Sequence, residues 1–231
     1  PNATLANPIE ISAGKPNDFN SFGPLRFSYT DELIDNVLVE NIYYNHPNKG
    51  CAVLFSNIPN LNSTSTGQYN HGVGKIGNVI LRNITGTKNA GRPIGLGNYT
   101  VIDNLIVEDC HFKLIDNNYS CPLLWDLENF SADPTPFVNN KIGNLIFRNS
   151  LLTKGNSNVT EQGLIYTKSK IDNIIFDNFV MSETSDVNGS VMFLVRGEMF
   201  NSLKITNSTI LVDQIILTNE LKKFYEKGNL F

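Results

Sequence analysis

The sequence predicts an all-β solenoid, and three observations carry the prediction. One outline occurs six times: IDNVLVEN from Ile34, IGNVILRN from Ile76, IDNLIVED from Ile102, IGNLIFRN from Ile142, IDNIIFDN from Ile171 and FNSLKITN from Phe200. Successive copies start 42, 26, 40, 29 and 29 residues apart, a spacing that belongs to stacked repeats. Each copy is rich in Val, Ile, Leu and Phe, none sustains the i, i+3, i+4 pattern of an amphipathic helix, and each is followed by a second apolar run. Those second runs are AVLFSN at 52, RPIGLGN at 92, PLLWDLEN at 122, GLIYTKS at 163, VMFLVRG at 191 and QIILTN at 214, so each unit holds at least two strands.

Taken in order, the elements make one domain over residues 1–231, long enough to bury a sizeable core. Residues 1–23 read as an incomplete first coil, with IEIS at Ile9 as its first strand and PLRFSY from Pro24 as its second. Residues 24–218 carry about six to seven coils with irregular loop insertions. Residues 219–231 read as a short C-terminal helix, with Leu221, Phe224 and Tyr225 on one side and Gly228 as its stop. Such a helix would cover the last rung; a solvated tail is the alternative. The chain opens without Met and in mid-pattern, as a processed product or a piece of something longer would.

The corners follow from the Asn positions. After the leading Ile or Phe comes Asp35, Gly77, Asp103, Gly143, Asp172 or Asn201, residue types that tolerate the left-handed region, so a tight turn is expected there. Next stand Asn36, Asn78, Asn104, Asn144, Asn173 and Ser202, positioned to bond from rung to rung. Asn41, Asn83, Asp109, Asn149, Asn178 and Asn207 close the strand as a second ladder. Strand alternation puts this second ladder on the inner side with the apolar residues, which would keep the sequons at Asn83 and Asn207 from carrying glycans.

The outward positions divide into two columns. Glu40, Arg82, Glu108, Arg148, Asp177 and Thr206 alternate in charge, so on rungs about 4.8 Å apart they read as a structural ion-pair ladder rather than a catalytic carboxylate pair. Leu38, Ile80, Ile106, Ile146 and Ile175, ended by Lys204, form an aliphatic stripe on the same face. Five stacked aliphatic side chains call for a cover, either another subunit or a loop.

Net charge and composition remove several partners. The balance is −4 with no basic stripe, which argues against nucleic acid, and no apolar run reaches the roughly 18 residues that a membrane span needs. Cys51, Cys110 and Cys121 have no C-x-x-C spacing. Cys51 and Cys121 would sit two rungs apart, about 9.6 Å, beyond the roughly 7 Å reach of a disulfide, and are expected as free thiols.

With these residues in view, the chain from about 24 to 218 resembles the right-handed parallel β-helix of pectate-lyase-like proteins, and within it the spike and appendage proteins of phage tails. The asparagine corners and the irregular insertions carry the resemblance. A leucine-rich repeat shares the short strand and the Asn corner but lacks its Leu-x-x-Leu-x-Leu spacing here. The resemblance implies a homotrimer meeting through Leu38, Ile80, Ile106, Ile146 and Ile175, a bacterial surface polysaccharide as partner, and an extracellular or virion location.

Chemistry is less marked. No nucleophile elbow, phosphate loop or metal motif occurs, and no metal or cofactor is expected. The Asn-Thr-Asp, paired aspartate and Gly-His-Gly motifs of β-helical polygalacturonases are missing. The best sugar-site candidate is LLWDLENF, residues 123–130, which joins the chain's single Trp, Trp125, as a stacking platform to Asp126 and Glu128 as candidate acid and base. Tyr166, Lys168 and Arg196 fall on matching segments of the next two coils as candidate substrate contacts. Trp125 also aligns with Phe55, Leu96 and Tyr166, a register in which it fills the core. The polar insertions 45–75 and 111–121 suit either ligand contacts or solvent. Three functions remain open: a carbohydrate-binding phage appendage, a polysaccharide hydrolase or lyase, and a structural spike module.

Overall fold

The computed structural model describes residues 25–29, 33–46, 51–57, 75–89, 92–96, 100–114, 124–126, 141–154, 163–167, 170–183, 191–197 and 200–217. Among these residues the protein is all-β, with sixteen strands and no helix; the expected helix at 219–231 and the first strand at Ile9 lie outside the described residues. The strands are β1 (Leu25–Tyr29), β2 (Leu33–His46), β3 (Cys51–Asn57), β4 (Lys75–Asn89), β5 (Arg92–Leu96), β6 (Val101–Glu108), β7 (His111–Leu114) and β8 (Leu124–Asp126). They continue as β9 (Lys141–Arg148), β10 (Leu151–Lys154), β11 (Gly163–Thr167), β12 (Lys170–Asp177), β13 (Val180–Glu183), β14 (Val191–Gly197), β15 (Phe200–Thr206) and β16 (Val212–Leu217).

The chain shuttles between two sheets, and each pass adds a parallel rung. Sheet 1 has the order β1-β3-β5-β8-β11-β14-β16. Sheet 2 runs β2-β4-β6-β9-β12-β15 and, past the corner, β4-β7-β10-β13. Strand β4 is long enough to belong to both runs: Ile76–Arg82 register with β6, and Thr85 onward registers with β7.

The six sequence copies stack in register as their outline requires. Ile76, Ile102, Ile142 and Ile171 form one fully inward column; Val79, Leu105, Leu145 and Ile174 form the next; Leu81, Val107, Phe147 and Phe176 form a third. All are at most 1% exposed, and burying each is worth about 1.5–3 kcal/mol. Ile94, Leu124 and Ile165 face them from sheet 1, completing the core. Where the chain bends, Phe147 stacks on Phe176 with centroids 5.2 Å apart, and Phe179 packs tilted against both.

The corner differs from the sequence expectation. Asn41, Asn83, Asp109, Asn149, Asn178 and Asn207 all have positive φ, from 49° to 59°, and all are exposed rather than inward. The left-handed residue rotates the strand by one position, so the inner column continues instead at Ile84, Cys110, Ser150 and Phe179. Asn and Asp bear this conformation at lower cost than other side chains. The sequon residues Asn83 and Asn207 therefore lie on the surface.

The bend leaves backbone donors that small polar side chains satisfy. Ser150 Oγ accepts from the Cys110 N–H at 3.1 Å and donates to the Arg148 carbonyl at 2.8 Å. Ser208 repeats the arrangement with the Phe179 N–H and the Thr206 carbonyl. Cys110 occupies the equivalent place as a free thiol that donates to the carbonyls of Glu108 and Leu81, and burial pushes it up to about 11.

The expected tight turn at the second position does not use the left-handed region, since among the described residues the positive-φ side-chain residues are the six at the corner. What decides the residue there is space. A Cβ on Gly77 would stand 2.7 Å from the Asp35 carbonyl oxygen, and one on Gly143 would stand 2.5 Å from that of Asp103. The pairing passes from Ile34/Ile76 directly to Asn36/Asn78, so this position is an irregularity repeated on each rung. Glycine on every second rung leaves room for the aspartate carbonyl before it.

Candidate functional site

Two outward ladders of sheet 2 are scaffold. The first is the amide ladder: Asn78 donates to Asn36, Asn104 to Asn78, Asn144 to Asn104 and Asn173 to Asn144, at 2.6–2.9 Å, and Ser202 donates to Asn173 at 2.6 Å. The second is the charge ladder. Glu108 is buried between Arg82, whose Nε lies 2.5 Å from Oε1, and Arg148, which grips Oε2 through two nitrogens. Burial pushes the Glu108 carboxyl up, but the hydrogen bonds and charges of the two guanidiniums outweigh it and hold the group below its ordinary value. A carboxylate held ionised by two arginines cannot serve as a general acid near neutral pH. This is the ion-pair ladder expected from the charge alternation.

The aliphatic stripe lies on that same outer face. Leu38 is 52% exposed, and Ile80, Ile106, Ile146 and Ile175 are half-buried in one register column.

The sugar-site candidates lie on sheet 1. Trp125 and Asp126 are in β8, Tyr166 in β11 and Arg196 in β14; Glu128 and Lys168 lie outside the described residues. Gly95, Trp125, Tyr166 and Arg196 share one register column on four successive rungs. The neighbouring column is Ile94, Leu124, Ile165 and Val195, of which Ile94, Leu124 and Ile165 are fully buried. By the period-two alternation of strands, the Trp125 position belongs to the opposite, outer face of the sheet. The alignment of Trp125 with Leu96 and Phe55 is therefore off by one residue: Leu96 registers with Phe55 and Asp126, and Leu54 with Gly95. Asp126 thus shares a column with buried Leu96, one residue away from the face that holds the Trp125 position.

A further polar row was not singled out from the sequence. His111 Nε2 lies 3.0 Å from Thr153 Oγ1, which lies 3.2 Å from Ser182 Oγ, across β7, β10 and β13. Burial, with the Lys113 charge, pushes the imidazole below its ordinary value, so it is neutral at pH 7. The signal was present in the strand after each corner, where these three residues take outward positions, but the sequence shows neither corner rotation nor rung-to-rung pairing. Among the described residues no group of three or more His, Cys, Asp or Glu stands close enough to hold a metal ion, and no helix is long and apolar enough to cross a membrane. The expectation that Cys51 and Cys121 are free thiols falls on Cys121, which lies outside the described residues.

Compared with protein families, curated proteins and solved structures, the chain finds no match.

Proposed function

We propose that the chain is a right-handed parallel β-helix of about six to seven coils, built like the spikes of phage tails, which binds a bacterial surface polysaccharide along the outer face of sheet 1. The single observation that supports this reading is the register column Trp125, Tyr166 and Arg196. Parallel rungs repeat about every 4.8 Å, so two aromatic residues and a cation at equal heights offer successive contacts to a chain molecule laid along the stack. Aromatic faces stack on the apolar side of a sugar ring, and a guanidinium bonds hydroxyl or carboxylate oxygens.

Binding is favoured over cleavage on the same register. Asp126 stands one position off the Trp125 column. Cleavage by the pair Asp126 and Glu128 is the second reading, with Lys168 as a further substrate contact. On this account the protein works outside the cell or on a virion. Three copies meet through Leu38, Ile80, Ile106, Ile146 and Ile175, the exposed-to-half-buried stripe being what that contact would bury.

The test is a panel of capsule, teichoic acid and pectin oligosaccharides titrated against the intact chain, followed by reducing-end and unsaturated-uronate assays. Saturable binding that Trp125→Ala abolishes, with no new reducing ends, supports the reading. New chain ends that vanish in Asp126→Asn would shift it to a depolymerase. Sedimentation as a trimer that Ile106→Asp with Ile146→Asp converts to monomers, with the β circular dichroism retained, supports the assembly.

A further inference from the structure

Past the corner, the outer face of sheet 2 carries a polar row that does not follow the ladder rule. Phe112, Leu152 and Met181 are at most 2% exposed, so the residues on either side of each stand on the outer face. Lys113, Thr153 and Ser182 share one register column, and His111, Leu151 and Val180 share the next. In the amide ladder asparagine bonds its own register partner on the next rung. His111 instead passes over its register partner Leu151 and bonds Thr153, which bonds Ser182. The row is open to solvent: Lys113 is exposed, Val180 is 40% exposed, and His111, Thr153 and Ser182 are half-buried.

A count of protons shows what the row has to offer. With a neutral imidazole it holds three, one on the ring and one on each hydroxyl, and its two hydrogen bonds use two of them. One donor is left over, on the ring or on a hydroxyl according to the tautomer. A protonated imidazole adds a fourth proton to the same two bonds. Its Nε2–H then donates to Thr153, and the Nδ1–H and one hydroxyl proton are both left for another acceptor, next to a second positive charge besides that of Lys113. The charged residues on the strands packed here are Lys113 on β7, Lys88 on β4, Lys154 on β10 and Glu183 on β13, with Asp109 at the corner before β7. Burial, then the Lys113 charge, hold the imidazole below its ordinary value, and an anion beside both groups would raise it.

We propose that His111, Thr153 and Ser182, with Lys113 beside them, form a binding site for an anionic oxygen group, the carboxylate of an acidic sugar or a free anion, which fills when His111 takes up a proton. Two freed donors and two positive charges match what such a group accepts from, and charge-assisted bonds of this kind are the strong ones. The neutral row has one spare donor and lacks the imidazolium charge, so it holds the anion less well. The site lies on β7, β10 and β13, away from the sheet 1 column of Trp125, and stands or falls independently of glycan binding there.

The probes are sodium sulfate and, in a second arm, glucuronate, each titrated into the intact chain at constant ionic strength. Both keep a constant charge from about pH 5 to about pH 8, the range in which histidine titrates. The readout is the His111 imidazole signal in nuclear magnetic resonance, assigned by its loss in His111→Gln. Saturable shifts are expected at about pH 5, with affinity about tenfold weaker at about pH 8, and by linkage the bound anion should raise the pH at which His111 titrates. Calorimetry on His111→Gln should show weak binding that no longer depends on pH, and Thr153→Val should weaken binding at about pH 5 with the β circular dichroism retained. Tighter binding of glucuronate than of sulfate makes an acidic sugar the occupant; binding of sulfate alone makes it a free anion. A His111 titration that neither anion moves overturns the proposal, as does binding that keeps its pH dependence in His111→Gln.

Discussion

The two sheets close one core and follow different rules. On sheet 2, β6 and β9 hold seven registered pairs, and every outward column is a ladder: amide on amide, acid on base, aliphatic on aliphatic. On sheet 1, β8 is three residues long, and the column Gly95, Trp125, Tyr166, Arg196 repeats nothing. A face whose side chains must satisfy those of the next rung is held to a repeat. A face whose outward residues vary from rung to rung is under no such demand, and there the molecule has room to recognise something else.

The contrast sets the order of effects that substitutions should have. Phe147→Ala removes a fully buried ring stacked on Phe176 and tilted against Phe179, and should cost about 3–5 kcal/mol in urea unfolding. A smaller loss would show that the core relaxes around the bend. Gly143→Ala should cost roughly 1–3 kcal/mol, because its Cβ would press on the Asp103 carbonyl of the neighbouring rung and backbone must move. The same substitution at Gly95, on sheet 1, serves as the comparison.

Next comes the corner. Asn178→Val should lose about 1–2 kcal/mol through the left-handed backbone, and Asn178→Gly should recover most of it. Equal losses in the two variants would instead assign the cost to the amide bond between Asn178 and Asn149. The smallest effect is expected at the charge ladder. Glu108 is held below its ordinary value in the folded protein, so its contribution is fully present above the unfolded glutamate range and is lost as the pH falls through the folded value. A Glu108→Gln chain should therefore show a flatter loss of stability on acidification than the parent, read as melting temperature against pH.

How much of this was legible in the sequence follows from the same division. The repeated half was readable because one outline, copied six times, specifies register, core columns and ladders together: Ile76, Val79 and Leu81 stand where the pattern puts them. The corner was misread by one position, since alternation alone cannot show that Asn83 or Asn149 switches to a left-handed backbone and sends the next residue inward. The glycines were assigned a turn role when the cause was an approach of 2.5–2.7 Å from a neighbouring carbonyl, a contact between residues 40 or more positions apart. Trp125 was aligned by its apolar neighbours, and in a run as short as LLWD that leaves two registers equally apolar; pairing with β5 and β11 selects one of them.

The most direct test uses Trp125 itself, the chain's single tryptophan, as the reporter. Its emission can be followed with acrylamide and then with the oligosaccharide panel. An outer-face Trp125 should be quenched freely by acrylamide, protected from it by the glycan that binds, and dispensable for the melting transition in Trp125→Ala. Emission that resists acrylamide and ignores every glycan, with a large fall in melting temperature on substitution, would return Trp125 to the core and contradict the account.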